Sequence, residues 1–126
     1  MPAIGSDEVL DWLRELYRQV DAADLDRYLE RYADDAELRF GSAPAVKGKA
    51  AIREALAQGH QRHDMAHTFR NVWTVGQTSV CEFDVRYTSN QSGRVVEIPS
   101  LAIVHRRESD GLIDQMRVYL DPQPLA

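Results

Sequence analysis

The hydrophobic period of this chain changes once, near residue 66, and that change limits the folds open to it. Up to about residue 60, apolar residues recur at three- and four-residue spacing, the repeat of a helix with one buried face. From residue 67 onward they alternate with polar residues, the repeat of a strand with one buried face. Helices first and a run of alternating strands after specifies an α+β domain, with the helices gathered on one face of an antiparallel sheet.

Val9, Trp12, Leu13, Leu16, Tyr17 and Val20 predict a helix over roughly residues 7 to 21, with Ser6 as its N-cap and Asp7 and Glu8 at its positive end. Asp24 is placed to cap a second, short helix that carries Leu25, Tyr28, Leu29 and Tyr32 on one face. Residues 37 to 40 read as a strand ended by Gly41-Ser42-Ala43-Pro44, and residues 49 to 60 as a third helix with Ile52, Ala55 and Leu56 on one side. Four long strands are expected over residues 67 to 75, 79 to 88, 94 to 107 and 112 to 120, with turns at Gly76-Gln77, Asn90 to Gly93 and Ser109 to Gly111. At 126 residues the expectation is one domain over residues 1 to 126, with loose ends at 1 to 5 and 122 to 126.

Fifteen basic against twenty acidic residues, with no basic cluster, argues against nucleic acid or an anionic membrane surface as a partner. The lone Cys81 cannot form an internal disulfide, and no export signal is visible at Met1 to Gly5, so a cytoplasmic protein is the default expectation. No apolar run approaches the roughly 20 residues that span a bilayer.

Alternation assigns faces. Cys81, Phe83, Val85 and Tyr87 should face the helices, with Glu82, Asp84 and Arg86 on the other side. In the last strand Met116, Val118 and Leu120 oppose Arg117, Tyr119 and Asp121. In the strand before it, Leu101, Ile103 and His105 share one face and Ala102, Val104 and Arg106 the other, so both faces are partly apolar. Ile103 and His105 are taken as inward. His67, Phe69, Asn71 and Trp73 share a face by the same parity.

The stretch from Tyr32 to Leu56, which compresses a helix end, a strand, a Gly/Pro loop and a new helix, together with Met116-Arg117-Val118-Tyr119-Leu120-Asp121, resembles the nuclear transport factor 2-like superfamily. The nearest pattern within it is that of polyketide cyclase (SnoaL-like) and ketosteroid isomerase-like proteins. The resemblance runs from Trp12 to Asp121 and implies a cone of three helices on a strongly curved antiparallel sheet, enclosing a mostly apolar pocket. It implies a small hydrophobic ligand (polyketide-, terpenoid- or steroid-like), no cofactor and no metal, and a homodimer through the outer sheet face. The side chains it would turn toward a ligand are Trp12, Leu16, Phe40, Phe69, Asn71, Trp73, Phe83, Val85, Tyr87, Ile103, His105, Met116 and Val118.

The family's chemistry carries over unevenly. Ketosteroid isomerases share Ala33-Asp34-Asp35-Ala36 and the Gly41 to Pro44 loop, but their general-base aspartate falls on Phe40 and their oxyanion donors on Leu16 and Ile103. The five catalytic positions of limonene epoxide hydrolases fall on Phe83, Val85, Val118, Leu38 and Phe40. Neither activity is expected. Scytalone dehydratase is similar at a different point: its catalytic histidine opens the strand after the third helix, where this chain has His67, with Asn71 completing a His-x-x-x-Asn spacing. If the protein is an enzyme, the resemblance implies a cofactor-free isomerase, cyclase or dehydratase with His67 as general base or acid and Tyr17 or Asn71 as the orienting donor. No aspartate partner for the histidine is evident beside Tyr17 and Arg18. The other reading is a non-catalytic dimeric binding or scaffold module. His63 and His67 have the spacing of two metal ligands on a helix but lack an adjacent Glu and a third ligand.

Overall fold

A computed structural model describes residues 9 to 126. In chain order the elements are α1 (Asp11–Asp21), α2 (Leu25–Leu29), β1 (Tyr32–Phe40), β2 (Val46–Lys47), α3 (Lys49–Arg62), β3 (His63–Val75), β4 (Thr78–Ser89), β5 (Val95–Arg106) and β6 (Ile113–Leu120), with a short 3-10 turn at Gln123–Leu125. The three α-helices pack on a curved six-stranded sheet of order β2-β1-β6-β5-β4-β3, the cone-shaped fold expected. Every neighbouring pair is antiparallel except β1 and β6, which run parallel. No helix among the described residues is long and apolar enough to cross a membrane.

Helix α1 starts at Asp11 behind Leu10, which makes no side-chain cap bond; the expected cap Ser6 lies outside the described residues. Leu13, Leu16, Tyr17 and Val20 form its buried stripe. It ends in a tight reversal. Ala23 takes a left-handed φ of 58°, and the amides of Ala23 and Asp24 return to the carbonyls of Val20 and Gln19. Asp24 then caps α2 by accepting from the Arg27 amide. Gly48 (φ 91°) sits at the N-cap of α3, a backbone region that a side chain would strain, and its amide bonds the Ala36 carbonyl of β1.

Three expectations change. The first strand begins at Tyr32, so that residue belongs to β1 and not to the second helix. Strand β3 begins at His63, which puts His63 and His67 on a strand, about 13 Å apart along it. That spacing removes the helical basis for reading them as a metal pair. The third change is in the parity of two strands. A bulge between Phe69 and Asn71 shifts the β3 register, since Phe69 opposes Phe83 but Asn71 opposes Glu82. One extra residue reverses the facing of all that follow. Val72 therefore turns inward against Cys81, while Asn71 and Trp73 turn outward. In β5 the register pairs Ala102 with Cys81 and Val104 with Ser79, so these smaller residues face the helices and Leu101, Ile103 and His105 lie on the outer face.

Candidate active site

The cone interior is mostly filled. Leu13, Leu16, Ile52, Phe83, Val85, Val104 and Met116 are among its fully buried side chains, and the space left over is about 70 Å³. That is the share of roughly two water molecules. Around it α1 contributes Tyr17 and Val20, α2 Tyr28, α3 Leu56, and the strands His67, Phe83, Val85, Tyr87 and Met116 among others. Phe40, 42% exposed, marks its rim.

One ionisable pair borders this space. The Nδ1 of His67 lies 2.5 Å from Oδ1 of Asp21, and the other oxygen, Oδ2, accepts the backbone amide of His67 at 2.8 Å. Both carboxylate oxygens are thus engaged by one residue, which fixes the imidazole in position and orientation. The side chains are 12% and 24% exposed. Aromatic rings wall the imidazole: its centroid is 4.9 Å from that of Tyr17 and 5.0 Å from that of Phe83, the latter edge-on. With Nδ1–H donated to Asp21, a neutral ring carries its lone pair on Nε2, which has no hydrogen-bond partner among the described residues.

The neighbouring phenols are held neutral. Burial drives Tyr17 well above the usual phenol value, and it pushes Tyr28 and Tyr87 up to about 12. Among the described residues the Tyr17 hydroxyl donates only to the Met116 sulfur, at 3.9 Å, a weak acceptor that a ligand oxygen could displace. Tyr28 and Tyr32 share one hydrogen bond at 2.5 Å, so one of the two hydroxyls keeps its proton for another acceptor. Cys81 is buried and its thiol is pushed up to about 12, which makes it a poor nucleophile.

Of the residues singled out in the sequence, Tyr17, Phe40, His67, Phe83, Val85, Tyr87, Met116 and Val118 line the cavity. Leu16 and Phe69 do not: Leu16 is solid core, and Phe69 packs behind the site against Tyr17 and Phe83. Trp12 lies elsewhere, under the guanidinium of Arg106. Asn71, Trp73, Ile103 and His105 point to the outer face for the reasons of register given above. Asn71 there bonds Glu82 at 2.6 Å. Asp21 was missed. It lies four residues after Tyr17, hence on the same face of α1 but one turn further along than the positions beside Tyr17.

The sequence profile of the SnoaL-like domain matches residues 13–116, and the chain belongs to that family. No protein of curated function matches it. Among solved structures, a candidate SnoaL-like polyketide cyclase from Jannaschia sp. CCS1 superposes with a TM-score of 0.82 at 18% identity, covering 99% of this chain and 93% of the other. A candidate isomerase from Bacillus subtilis gives 0.77 at 22% identity over 88% and 84% of the two chains. The epoxide hydrolase/cyclase-like enzyme SalBIII, with a role in pyran ring formation in the polyether salinomycin, gives 0.76 at 19% identity over 88% of each. At these identities the likeness establishes the fold.

Proposed function

We propose that the protein binds one end of a small hydrophobic molecule in the cone and that His67 moves a proton on it, as an isomerisation, cyclisation or dehydration requires. The observation that carries this reading is the His67–Asp21 pair at the edge of an apolar cavity. Nε2 would take a proton from a carbon next to a carbonyl, or from a hydroxyl, and return it at a second position. Asp21 is the positioning residue: it sets the tautomer and steadies the imidazolium formed in passing. A neutral phenol, Tyr17 or Tyr28, would donate to the oxygen on which charge develops. A polyketide-, terpenoid- or steroid-like substrate fits the apolar lining, but pockets that enclose such molecules run to roughly 300 Å³ or more. With about 70 Å³ available, only the reacting end enters unless Phe40 and Leu56 swing aside.

That small volume is the specific support for a second reading, a non-catalytic module of the same fold whose core only stabilises it. Hydrogen–deuterium exchange at the carbon beside the carbonyl of small cyclic enones, followed by NMR, separates the two. Catalysed exchange that His67→Ala lowers by about 10² to 10⁴-fold, with the melting temperature nearly unchanged, is the expected result. No catalysed exchange, or an equally active variant, leaves the scaffold reading. In either case the apolar row Trp73, Val80 and Ile103 on the outer face supports a homodimer through the sheet, and a single monomeric species in light scattering would rule it out.

A further inference from the structure

A polar groove of about 580 Å³ lies between α1, the α2–β1 junction and the β5–β6 hairpin, and it shares no lining residue with the apolar cavity beside His67. Its hydrogen-bond inventory is incomplete. The indole Nε1–H of Trp12 and the Oε1 of Gln19 are both shielded from water and have no partner among the described residues. The orientation of the Gln19 amide follows from its other end. Its Nε2 donates to Glu15 at 3.1 Å, and a carboxylate only accepts, so Oε1 is the atom left over.

The charges around the groove are also unbalanced. Asp110 is held by Arg107, and Arg27 lies 3.7 Å from Asp24. Glu15, near enough to Arg31 to feel its charge, is itself held by Arg18, which leaves the guanidinium groups of Arg31 and Arg106 against the one uncommitted carboxylate of Glu30, and neither arginine has an ion-pair partner within salt-bridge distance among the described residues. Arg106 stacks over the Trp12 ring at 4.1 Å, an arrangement that fixes the plane of the fork and leaves its N–H edge for an acceptor. Unpaired groups that water does not reach cost free energy, and a ligand that completes them recovers it.

We propose that this groove binds a small oxyanion that also carries an O–H donor, such as a phosphate group or a hydroxycarboxylate. The anionic oxygens pair with Arg31 and Arg106, the indole N–H donates to one of them, and the ligand O–H donates to Gln19 Oε1. Arg106, with its long flexible stem, slides across the indole to admit the ligand.

The indole N–H resonance of Trp12 reports on this directly and needs no turnover. Uniformly ¹⁵N-labelled protein is titrated with inorganic phosphate and, separately, with lactate, at ionic strength held constant with sodium chloride; Trp73→Phe assigns the two indole signals. A saturable shift of the Trp12 signal, with Trp73 unmoved, is expected with one or both probes. Phosphate alone points to a phosphoryl group and lactate alone to a carboxylate. Acetate, which lacks the donor, should bind more weakly than lactate. Arg31→Gln and Arg106→Gln should each weaken binding about tenfold, the loss expected for one charge-assisted hydrogen bond. Among the described residues the guanidinium stacked on the indole is that of Arg106, so the Arg31 variant separates lost binding from a disturbed reporter. The proposal is overturned by the absence of saturation with both probes, by an equal response to chloride, or by undiminished affinity in both arginine variants.

Discussion

Two histidine–aspartate pairs of nearly the same length lie on opposite faces of this sheet. His67 and Asp21 are 2.5 Å apart inside the cone; His105 and Asp114 are 2.6 Å apart on the outer face. The inner pair joins a strand to a helix, 46 positions apart in the chain, and the ring is packed between Tyr17 and Phe83 at the cavity. The outer pair joins neighbouring strands nine positions apart, with side chains 41% and 30% exposed. Solvent screens such a surface pair, whose worth is typically about 0 to 1 kcal/mol. The same two groups at the same distance therefore differ in what they can do. Among the described residues, only the inner pair borders a cavity, with aromatic rings packed against its imidazole.

The largest test of that contrast is a pair of matched substitutions. Asp21→Asn should lower enone exchange by up to about 10⁴-fold, the loss that follows when a positioning aspartate loses its hold on a catalytic histidine. Asp114→Asn and His105→Ala should leave it unchanged. A ¹⁵N spectrum of the histidine rings distinguishes positioning from mere structure, since Asp21→Asn must shift the His67 tautomer balance toward Nε2–H. Equal losses from both aspartate variants would erase the distinction between the faces.

A second contrast concerns stability. Phe83, 1% exposed and in contact with the rings of Tyr17, His67 and Phe69, should cost about 3 to 5 kcal/mol on replacement by alanine, read from urea unfolding. Leu101→Ala on the outer face should cost less than about 1 kcal/mol if water covers that face. If a second copy covers it, the loss should instead depend on protein concentration.

How far the sequence showed these faces depended on whether one strand's pattern was enough. In β4, Phe83 and Val85 alternate with Glu82 and Asp84, and the facing is unambiguous from the residues alone. In β5 both sets are apolar, and only the pairing of Ala102 with Cys81 decides that Ile103 points out. In β3 the bulge at Arg70 carries no glycine or proline to announce it, so parity counted from His67 holds as far as Phe69 and inverts after it. The helices, the turns and the cone were legible because each is set by local periodicity and turn chemistry. The site was legible only in part, as Asp21 meets His67 through tertiary packing and only the shared helix face with Tyr17 hinted at it.

The inner face also predicts an alkaline limit. Burial pushes Cys81, Tyr28 and Tyr87 up to about 12 and Tyr17 and Tyr32 well above the phenol range. The unfolded chain gives up these protons near pH 8.5 for the thiol and near 10 for the phenols. The folded chain therefore holds more protons above those values, and stability must fall as pH rises. The contribution is complete below about pH 8.5, is lost first through Cys81 and then through the tyrosines from about pH 10, and declines by roughly 1.4 kcal/mol per pH unit for each group in its window. Urea midpoints between pH 8 and 11 should show this fall, and Cys81→Ala should flatten its first part. A flat profile would mean that the inner face admits water more freely than its packing indicates.

The smallest expected effect lies in the turn that presents Asp21 to His67. Ala23 holds a left-handed φ of 58° at the end of α1, a conformation that costs a residue with a Cβ roughly 1 to 2 kcal/mol. Ala23→Gly removes the clash but gives the unfolded chain more freedom, so the net gain is a few tenths to about 1 kcal/mol. The reversal also brings the Asp24 amide back to the Gln19 carbonyl at 2.9 Å, which keeps the last turn of α1 wound and Asp21 against the His67 ring and amide. The glycine variant should therefore be slightly more stable and equally active. A more stable but less active variant would show that the strained alanine sets the aim of Asp21, and that the inner pair depends on this turn in a way the outer pair, fixed between two strands, does not.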